Sequence, residues 1–513
     1  MRCKKSAVFL FLILFVMVCL FVTGCGAEDH LQTGTQELVI GVGRDFYYGP
    51  ERSVFVHGST GVWESLTYLN ENMEPMPQLA EKLIPDTANK TWTVYLRRGV
   101  KFHDGTPLNA EAVVKSVKRF KKHPKFDSYG TFMHLVDVEA VSEYEVKFTF
   151  SKPEPAFPAK VAYHGCPIFS PQSFDAEGKI INPYGTGPFK FAEYKKGEAL
   201  VVTCNNDYWK GKPKLEKVTF KVIPDPSTRL AALKTGEIQA VADVGGILPE
   251  QASAIKEDDN LVLLSQQVTT THYILFNNKK QPFNDQRLRQ AVSLLLDRSQ
   301  LVREILDGYG EPADTIFTPQ ARTWVVEGLW TTDKNKAREL AAPLTVGTPH
   351  KIVFVINSAL ANRWPYKPIA ETLQSELKDL GFEVELKILE MGAWKEALKH
   401  GEFDMTLTPY TLMTGDPDFF FGRWIHSQGQ MNICRGIGYS NPAADKLVEK
   451  AAAEQDLARR QQYYRDLQHL VAKDVPLCPV YHDVSLYATR KEVRDLELDP
   501  FFKPSLDKAW IEK

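Results

Sequence analysis

Cysteine is scarce in this sequence. Seven cysteines among 513 residues cannot build a disulfide scaffold, and no pair has the CxxC spacing of a zinc site or a thioredoxin-like motif. An excess of charge of one sign is also missing. Lysine and arginine number 62 against 64 aspartates and glutamates, a net charge of −2. That balance argues against nucleic acid as a partner, because phosphate binding needs a basic surface. No HExxH, GxSxG or phosphate-loop motif occurs. Gly41-Val-Gly43 opens like a dinucleotide fingerprint, but Phe46 stands where the third glycine is required, and Gly185-Thr-Gly187 fails in the same way at Lys190. Asp416-Pro417-Asp418 lacks the later ligands of a calcium loop. Repeats and low-complexity stretches are absent. What remains is a globular composition, 43% hydrophobic and 25% charged, long enough to bury a large core.

The first 25 residues stand apart. Arg2, Lys4 and Lys5 precede an apolar run from Ala7 to Val22, which is shorter than the roughly 20 residues needed to cross a bilayer. The pattern fits the charged and apolar regions of a signal peptide, expected over residues 1–24. Val22-Thr23-Gly24-Cys25 resembles the lipobox of bacterial lipoprotein signals, which implies lipid on the Cys25 thiol and cleavage in front of it. A plain cleaved signal with an incidental cysteine is the alternative. Cleavage removes three basic residues and no acid, so the net charge moves from −2 to −5. Residues 25–36 then read as anchor and tether, and the expected location is extracytoplasmic, at the membrane surface.

Further on, apolar patterning alternates between strands and helices. Strands are expected at Glu37–Val42, Trp92–Leu96, Glu143–Phe150, Lys217–Ile223, Lys351–Ile356, Val384–Ile388 and Leu477–Tyr481. Helices are expected at Ala110–Phe120 behind an Asn109 cap, from Thr228, over Arg287–Asp297, near Ile369–Asp379 and over Leu457–Ala472. Gly381 should stop the fourth of these. Strand, helix and strand from Lys351 to Ile388 suggest a parallel unit, and the whole reads as mixed α/β with more than one lobe.

Six motifs then carry a resemblance. They are Pro77-Gln-Leu-Ala-Glu81, Thr91 to Ala110 (TWTVYLRRGVKFHDGTPLNA), Tyr184-Gly-Thr-Gly-Pro-Phe189, Asn206-Asp-Tyr-Trp-Lys-Gly211, Phe283-Asn-Asp-Gln-Arg-Leu-Arg-Gln-Ala291 through Asp297-Arg298, and Asp474-Val-Pro-Leu477. In this order they resemble the peptide/nickel family (family 5) of extracytoplasmic solute-binding proteins that serve ABC importers. The resemblance spans essentially residues 37–510. It implies a two-lobed fold of the periplasmic-binding-protein type (type II, with an extra inserted subdomain), hinged by crossing strands near Val268–Phe276 and Val480–Tyr487. The implied divisions are lobe I over 37–59, 181–267 and 482–513, the inserted subdomain over 60–180, and lobe II over 268–481. Capture by lobe closure would proceed without bond chemistry, as a monomer, and deliver solute to a permease and its ATPase subunits. An extracytoplasmic hydrolase is the rival from another class, but no nucleophile–base pair can be assembled for it.

Two ligand classes are implied, a chelated metal such as nickel as the expected solute and a dipeptide or oligopeptide as the alternative. Val222-Ile-Pro-Asp-Pro-Ser-Thr-Arg229, Thr235-Gly-Glu-Ile238, Gly246-Ile-Leu-Pro249 and Pro312-Ala-Asp-Thr-Ile-Phe-Thr-Pro319 resemble the nickel-binding members, which hold metal inside a small chelator. On that reading His426 is the metal-binding histidine, Arg423 pairs a chelator carboxylate, and Trp424 and Tyr410 supply aromatic walls; no intrinsic cofactor is expected. The arginine expected near Tyr163–Ile168 is replaced by Tyr163-His164-Gly165-Cys166-Pro167, which makes His164 and Cys166 replacement ligands or, alternatively, a loop histidine and a buried thiol. On the dipeptide reading, Gly415-Asp416-Pro417-Asp418-Phe419 resembles the turn whose aspartate pairs a peptide's α-ammonium, with Arg363 the candidate for the peptide carboxylate. Asp416 and Asp418 are otherwise turn residues.

Overall fold

Two long strands, Leu261–Phe276 and Leu477–Arg490, organise the computed structural model. It describes residues 35–46, 59–123, 127, 130–162, 166–345 and 350–512. The second strand runs nine residues beyond the expected Leu477–Tyr481. Its continuation, His482-Asp483-Val484-Ser485, is polar and does not read as a buried strand. His482 and Asp483 are buried because their side chains are bonded. His482 places Nδ1 2.9 Å from Thr271 Oγ1 and Nε2 3.0 Å from Thr315 Oγ1. Asp483 Oδ2 accepts from Trp364 Nε1 at 3.0 Å.

The two strands pair antiparallel from Leu261↔Arg490 to Leu275↔Leu477, with register shifts between Gln267 and Thr271 and between His272 and Tyr273. They sit at the middle of an eleven-stranded mixed sheet. On one side lie Met405–Thr411, Lys351–Asn357 and Glu383–Leu389, the last two parallel as expected. On the other lie Ala240–Val241, Glu37–Val42, Lys217–Val222, Ala199–Cys204 and Phe189–Lys195. A separate antiparallel sheet of four strands runs Ala80–Pro85, Thr91–Leu96, Glu145–Phe150, Leu135–Ser142.

Local chemistry accounts for the helix starts. Asn109 accepts from Ala112 N and caps Ala110–Lys122. The helix expected from Thr228 starts two residues earlier, at Pro226, because Asp225 is its cap and proline suits the first turn. The run Arg287–Asp297 ends at Leu295, and Asp297 caps a second helix, Arg298–Glu304. Gly381, at φ +92°, ends Tyr366–Asp379.

Two apolar cores flank the crossing strands. One gathers Leu38, Ile40, Trp92, Val113, Phe148, Phe157, Phe189 and Phe220. The other gathers Ile274, Phe276, Leu288, Phe354, Leu373, Leu407, Phe420 and Leu467. Residues Gln36–Glu512 nevertheless pack as one compact unit. Among the described residues no helix is long and apolar enough to cross a membrane.

Candidate functional site

The six motifs condense into two polar knots, both structural. Glu64 is buried, and its carboxylate accepts from Gln78 Nε2 (3.0 Å), Thr186 Oγ1 (2.9 Å), Tyr208 Oη (2.9 Å) and Trp209 Nε1 (2.8 Å). Three motifs therefore meet on one side chain. The fourth joins through His103, whose Nε2 lies 3.0 Å from Gly187 O and whose Nδ1 accepts from Gly185 N at 3.3 Å. Burial pushes the His103 imidazole down to about 4, so it is neutral at pH 7. The second knot ties the last two motifs. Arg289 donates to Phe283 O, Asp474 O and Val475 O, and Arg298 donates to Pro479 O.

The candidate ligand residues follow a different pattern. After the strand Met405–Thr411 the chain turns and enters Asp418–Phe420, then a wide helical turn, Phe421–Ile425, closed by His426 N to Phe421 O at 2.9 Å. Such wide turns are enriched at functional sites because they re-aim side chains. Here the turn brings together three of the expected residues. Tyr410 lies edge-on to Trp424 at 5.6 Å. Trp424 stacks on Phe420 at 5.9 Å. Arg423 lies over Phe419 at 4.7 Å and faces Asp127, whose carboxyl is raised by burial against the pull of Arg423.

Arg435, which sequence reasoning missed, completes this wall. Its guanidinium lies 4.8 Å from Trp394 and 5.8 Å from Trp424, and among the described residues its one hydrogen bond is a 3.4 Å contact to Thr408 Oγ1. Burial lowers its pKa. Arg363 shares one neighbour with Arg435, since the Tyr366 phenol interacts electrostatically with both. It stacks on Trp364 at 4.6 Å and donates Nε to Val244 O at 2.9 Å. Burial, then repulsion from Arg44, lowers its pKa to about 10. Neither Arg363 nor Arg435 has a carboxylate within ion-pair distance among the described residues, whereas Arg44 is 3.7 Å from Asp243.

Arg363 also touches the backbone at Gly245. Gly245 has φ +60°, and a Cβ there would stand 2.5 Å from Arg363 O. Gly245, Arg363, Trp364, Tyr481 and Asp483 line a small cavity beside the crossing strands. At its edge His272 stacks on Tyr481 at 4.1 Å and bonds Tyr366 Oη through Nδ1 at 2.8 Å.

The other expected ligand residues are engaged within the protein. Asp416 forms a bidentate pair with Arg460, at 2.6 and 2.7 Å, with both side chains under 10% exposed. Its Oδ1 also accepts from Asp418 N. Asp418 pairs with Lys160 at 2.9 Å. The α-ammonium partner expected in this turn is thus held by arginine and lysine. His426 accepts from Gln428 N at Nδ1 (3.1 Å) and has Nε2 3.5 Å from Glu449 of helix Pro442–Ala453. Cys166 is buried, with its thiol raised by burial, and His164 and Cys25 lie outside the described residues. Among the described residues no three His, Cys, Asp or Glu converge to hold a metal ion.

With this geometry, comparison with known proteins is decisive. Residues 74–432 match the family model of bacterial extracellular solute-binding proteins, family 5 (middle region). The chain belongs to that family. Its members are the substrate-binding proteins of ABC importers. The di/tripeptide-binding protein 1 of Pseudomonas aeruginosa is 29% identical over 465 residues, covering 83% of this chain and 84% of that protein. Among solved structures, NikA from Brucella suis in complex with Fe(III)-EDTA superposes with a TM-score of 0.83 at 23% identity, over 93% of this chain and 100% of the other. The dipeptide-binding protein of Pseudoalteromonas sp. SM9913 in complex with Met-Leu gives 0.80, also at 23% identity, with coverage of 93% and 100%. The two-lobed α/β fold expected from the sequence is thereby established.

Proposed function

We propose that this family 5 protein captures a small solute bearing at least one carboxylate, held by Arg363 and Arg435 against the Tyr410–Trp424 wall. One observation carries the reading: two half-buried guanidinium groups, Arg363 and Arg435, have no carboxylate within ion-pair distance among the described residues. A desolvated charge without a counter-ion costs several kcal/mol, and an anionic solute offsets that cost on binding. Guanidinium also matches carboxylate geometry with two parallel donors. Closure is favoured only by a solute that touches both lobes; on the division expected from the sequence Arg363 belongs to lobe II and abuts Gly245 of lobe I.

A short peptide is the first reading of the solute, in keeping with the di/tripeptide-binding relative. A carboxylate-rich metal chelate such as a nickel complex is the second, in keeping with the likeness to NikA. In either case Asp416 and His426 are structural on our reading, since their polar atoms are engaged within the chain. We further infer that lobe I (37–59, 181–267, 482–513), the inserted subdomain (60–180) and lobe II (268–481) close about the crossing strands, that lipid on Cys25 tethers a monomer outside the cytoplasm, and that a permease with its ATPase subunits receives the solute.

The test is a thermal-shift screen of the soluble body from Gln36 onward with dipeptides, tripeptides, Ni²⁺–histidine and Fe(III)-EDTA. Binding at 100 times Kd adds about 2.7 kcal/mol of stability. A shift with peptides supports the first reading and a shift with chelates alone supports the second. No shift with any carboxylate-bearing probe overturns both.

A further inference from the structure

The two halves also meet away from the candidate wall. Lys160 ends the short helix Phe157–Lys160, and Phe157 belongs to the first core. Asp418 begins the segment that carries Phe420 into the second core. Lys160 Nζ lies 2.8 Å from Glu154 Oε2 and 2.9 Å from Asp418 Oδ2, with side-chain exposures of 15%, 6% and 18% for Lys160, Glu154 and Asp418. One cation therefore sits between a carboxylate of its own half and a carboxylate of the other.

Two further contacts flank this triad. Gly415 has φ +66°, and a Cβ there would stand 2.5 Å from Met73 O; the Met73 side chain is itself buried in the second core, so the hairpin that carries it is seated on that half. Gln455 Nε2 donates to Ala88 O at 3.0 Å. On the first half, Thr67 Oγ1 bonds Pro158 O at 2.7 Å and ties the Lys160 helix to the hairpin that carries Met73. Lys160 and Ala88 thus face Asp418 and Gln455, beside the seated Met73 hairpin. None of these residues contributes to the Arg363–Arg435 wall.

The charge arrangement suits a contact that is made and broken. When the halves separate, Lys160 keeps Glu154 and stays paired. Asp418 loses its ion-pair partner but gains water. The Coulombic loss on opening is therefore offset by hydration of a carboxylate, which is the condition for a small net energy rather than a permanent bond. We propose that Lys160 and Asp418 form a latch between the two halves that sets the fraction of closed protein before solute arrives, and so tunes affinity from outside the solute site. Apparent affinity scales with the fraction of competent protein, so a latch that halves or triples that fraction changes Kd by the same factor.

This inference rests on capture by closure, and its test is chosen to stand without any solute. Spin labels on exposed Glu177, in the first half, and exposed Glu449, in the second, report the separation of the halves by pulsed electron resonance in the full-length chain. In solute-free protein, Asp418→Asn and Lys160→Met should each raise the ratio of open to closed populations at least threefold, and Lys160→Arg should restore most of the parent distribution. The double variant should add little to either single change, because the two residues act on one contact. Distance distributions identical to the parent in both single variants would overturn the latch. So would failure of Lys160→Met to fold, since that would make the pair part of a core. A screen that finds no solute would count against the proposed function and leave this measurement intact.

Discussion

Buried and half-buried arginines divide this molecule into two kinds of region. Arg229, Arg289, Arg298 and Arg460 are satisfied by the chain: Arg229 by Gly246 O and Ile223 O, Arg289 and Arg298 by carbonyls of the Leu477–Arg490 approach, and Arg460 by both oxygens of Asp416. Among the described residues the guanidinium groups of Arg363 and Arg435 make one hydrogen bond each and lie on aromatic faces. The same residue type holds elements together in one setting and waits for a counter-ion in the other. The difference lies in partners as well as burial, since the first four are buried and Arg363 and Arg435 are partly exposed.

That contrast can be broken from its strong side first. Arg460→Met should leave Asp416 buried without its cation and cost about 3–5 kcal/mol, read as a fall in the urea midpoint at unchanged slope. Arg435→Met should do the opposite in solute-free protein. Removing an uncompensated charge should leave the melting temperature unchanged or raise it, while affinity for any solute found by the screen should fall at least tenfold. A large loss of solute-free stability in Arg435→Met would place it with the structural arginines.

Proton linkage gives a smaller effect. Burial pushes His482 down to about 3, below its ordinary 6.5. The neutral ring is the folded form, so between pH 3 and 6.5 the unfolded chain binds more protons. The stability that His482 contributes is complete above pH 6.5 and declines as pH falls toward 3, by up to about 1.4 kcal/mol per pH unit. His103 acts with the same sign down to about 4. A His482→Asn chain should have a flatter stability profile over this range, measured by denaturant titration at stepped pH. An equally steep profile would remove His482 from the account. The smallest expected effect is at His426, where replacement by alanine should leave solute affinity within about twofold.

How much of this was legible in the sequence follows the same line. The motifs were legible because each is a local string, and the structure shows why they occur together. Glu64 collects three of them, and Arg289 binds the last two to each other. Even Val222–Arg229 and Gly246–Pro249, which resembled nickel-binding members, are joined by Arg229 bonding Gly246 O. They report architecture, and a preference for one ligand class cannot rest on them. Caps such as Asn109 are legible because capping spans three residues. The Asp416–Arg460 pair is not, because its members are 44 residues apart and a turn aspartate looks the same whether its carboxylate is free or held. Long strands with polar centres are also hidden, since His482 and Asp483 are buried only through bonds to Thr271, Thr315 and Trp364. Arg435 followed no motif. Its signal, an isolated arginine between Cys434 and a Gly436-Ile-Gly438 turn, is too weak to single out.

The central claim is that the solute's carboxylate is read by Arg363 and Arg435. The most direct measurement is calorimetric titration of the soluble body with the best-binding probe from the screen and with the same probe after conversion of its free carboxylate to an amide. The account predicts a loss of affinity of at least a hundredfold, about 2.7 kcal/mol, shared by Arg363→Gln and Arg435→Gln with the unmodified probe and not compounded when variant and amide are combined. Equal affinity for acid and amide would contradict it.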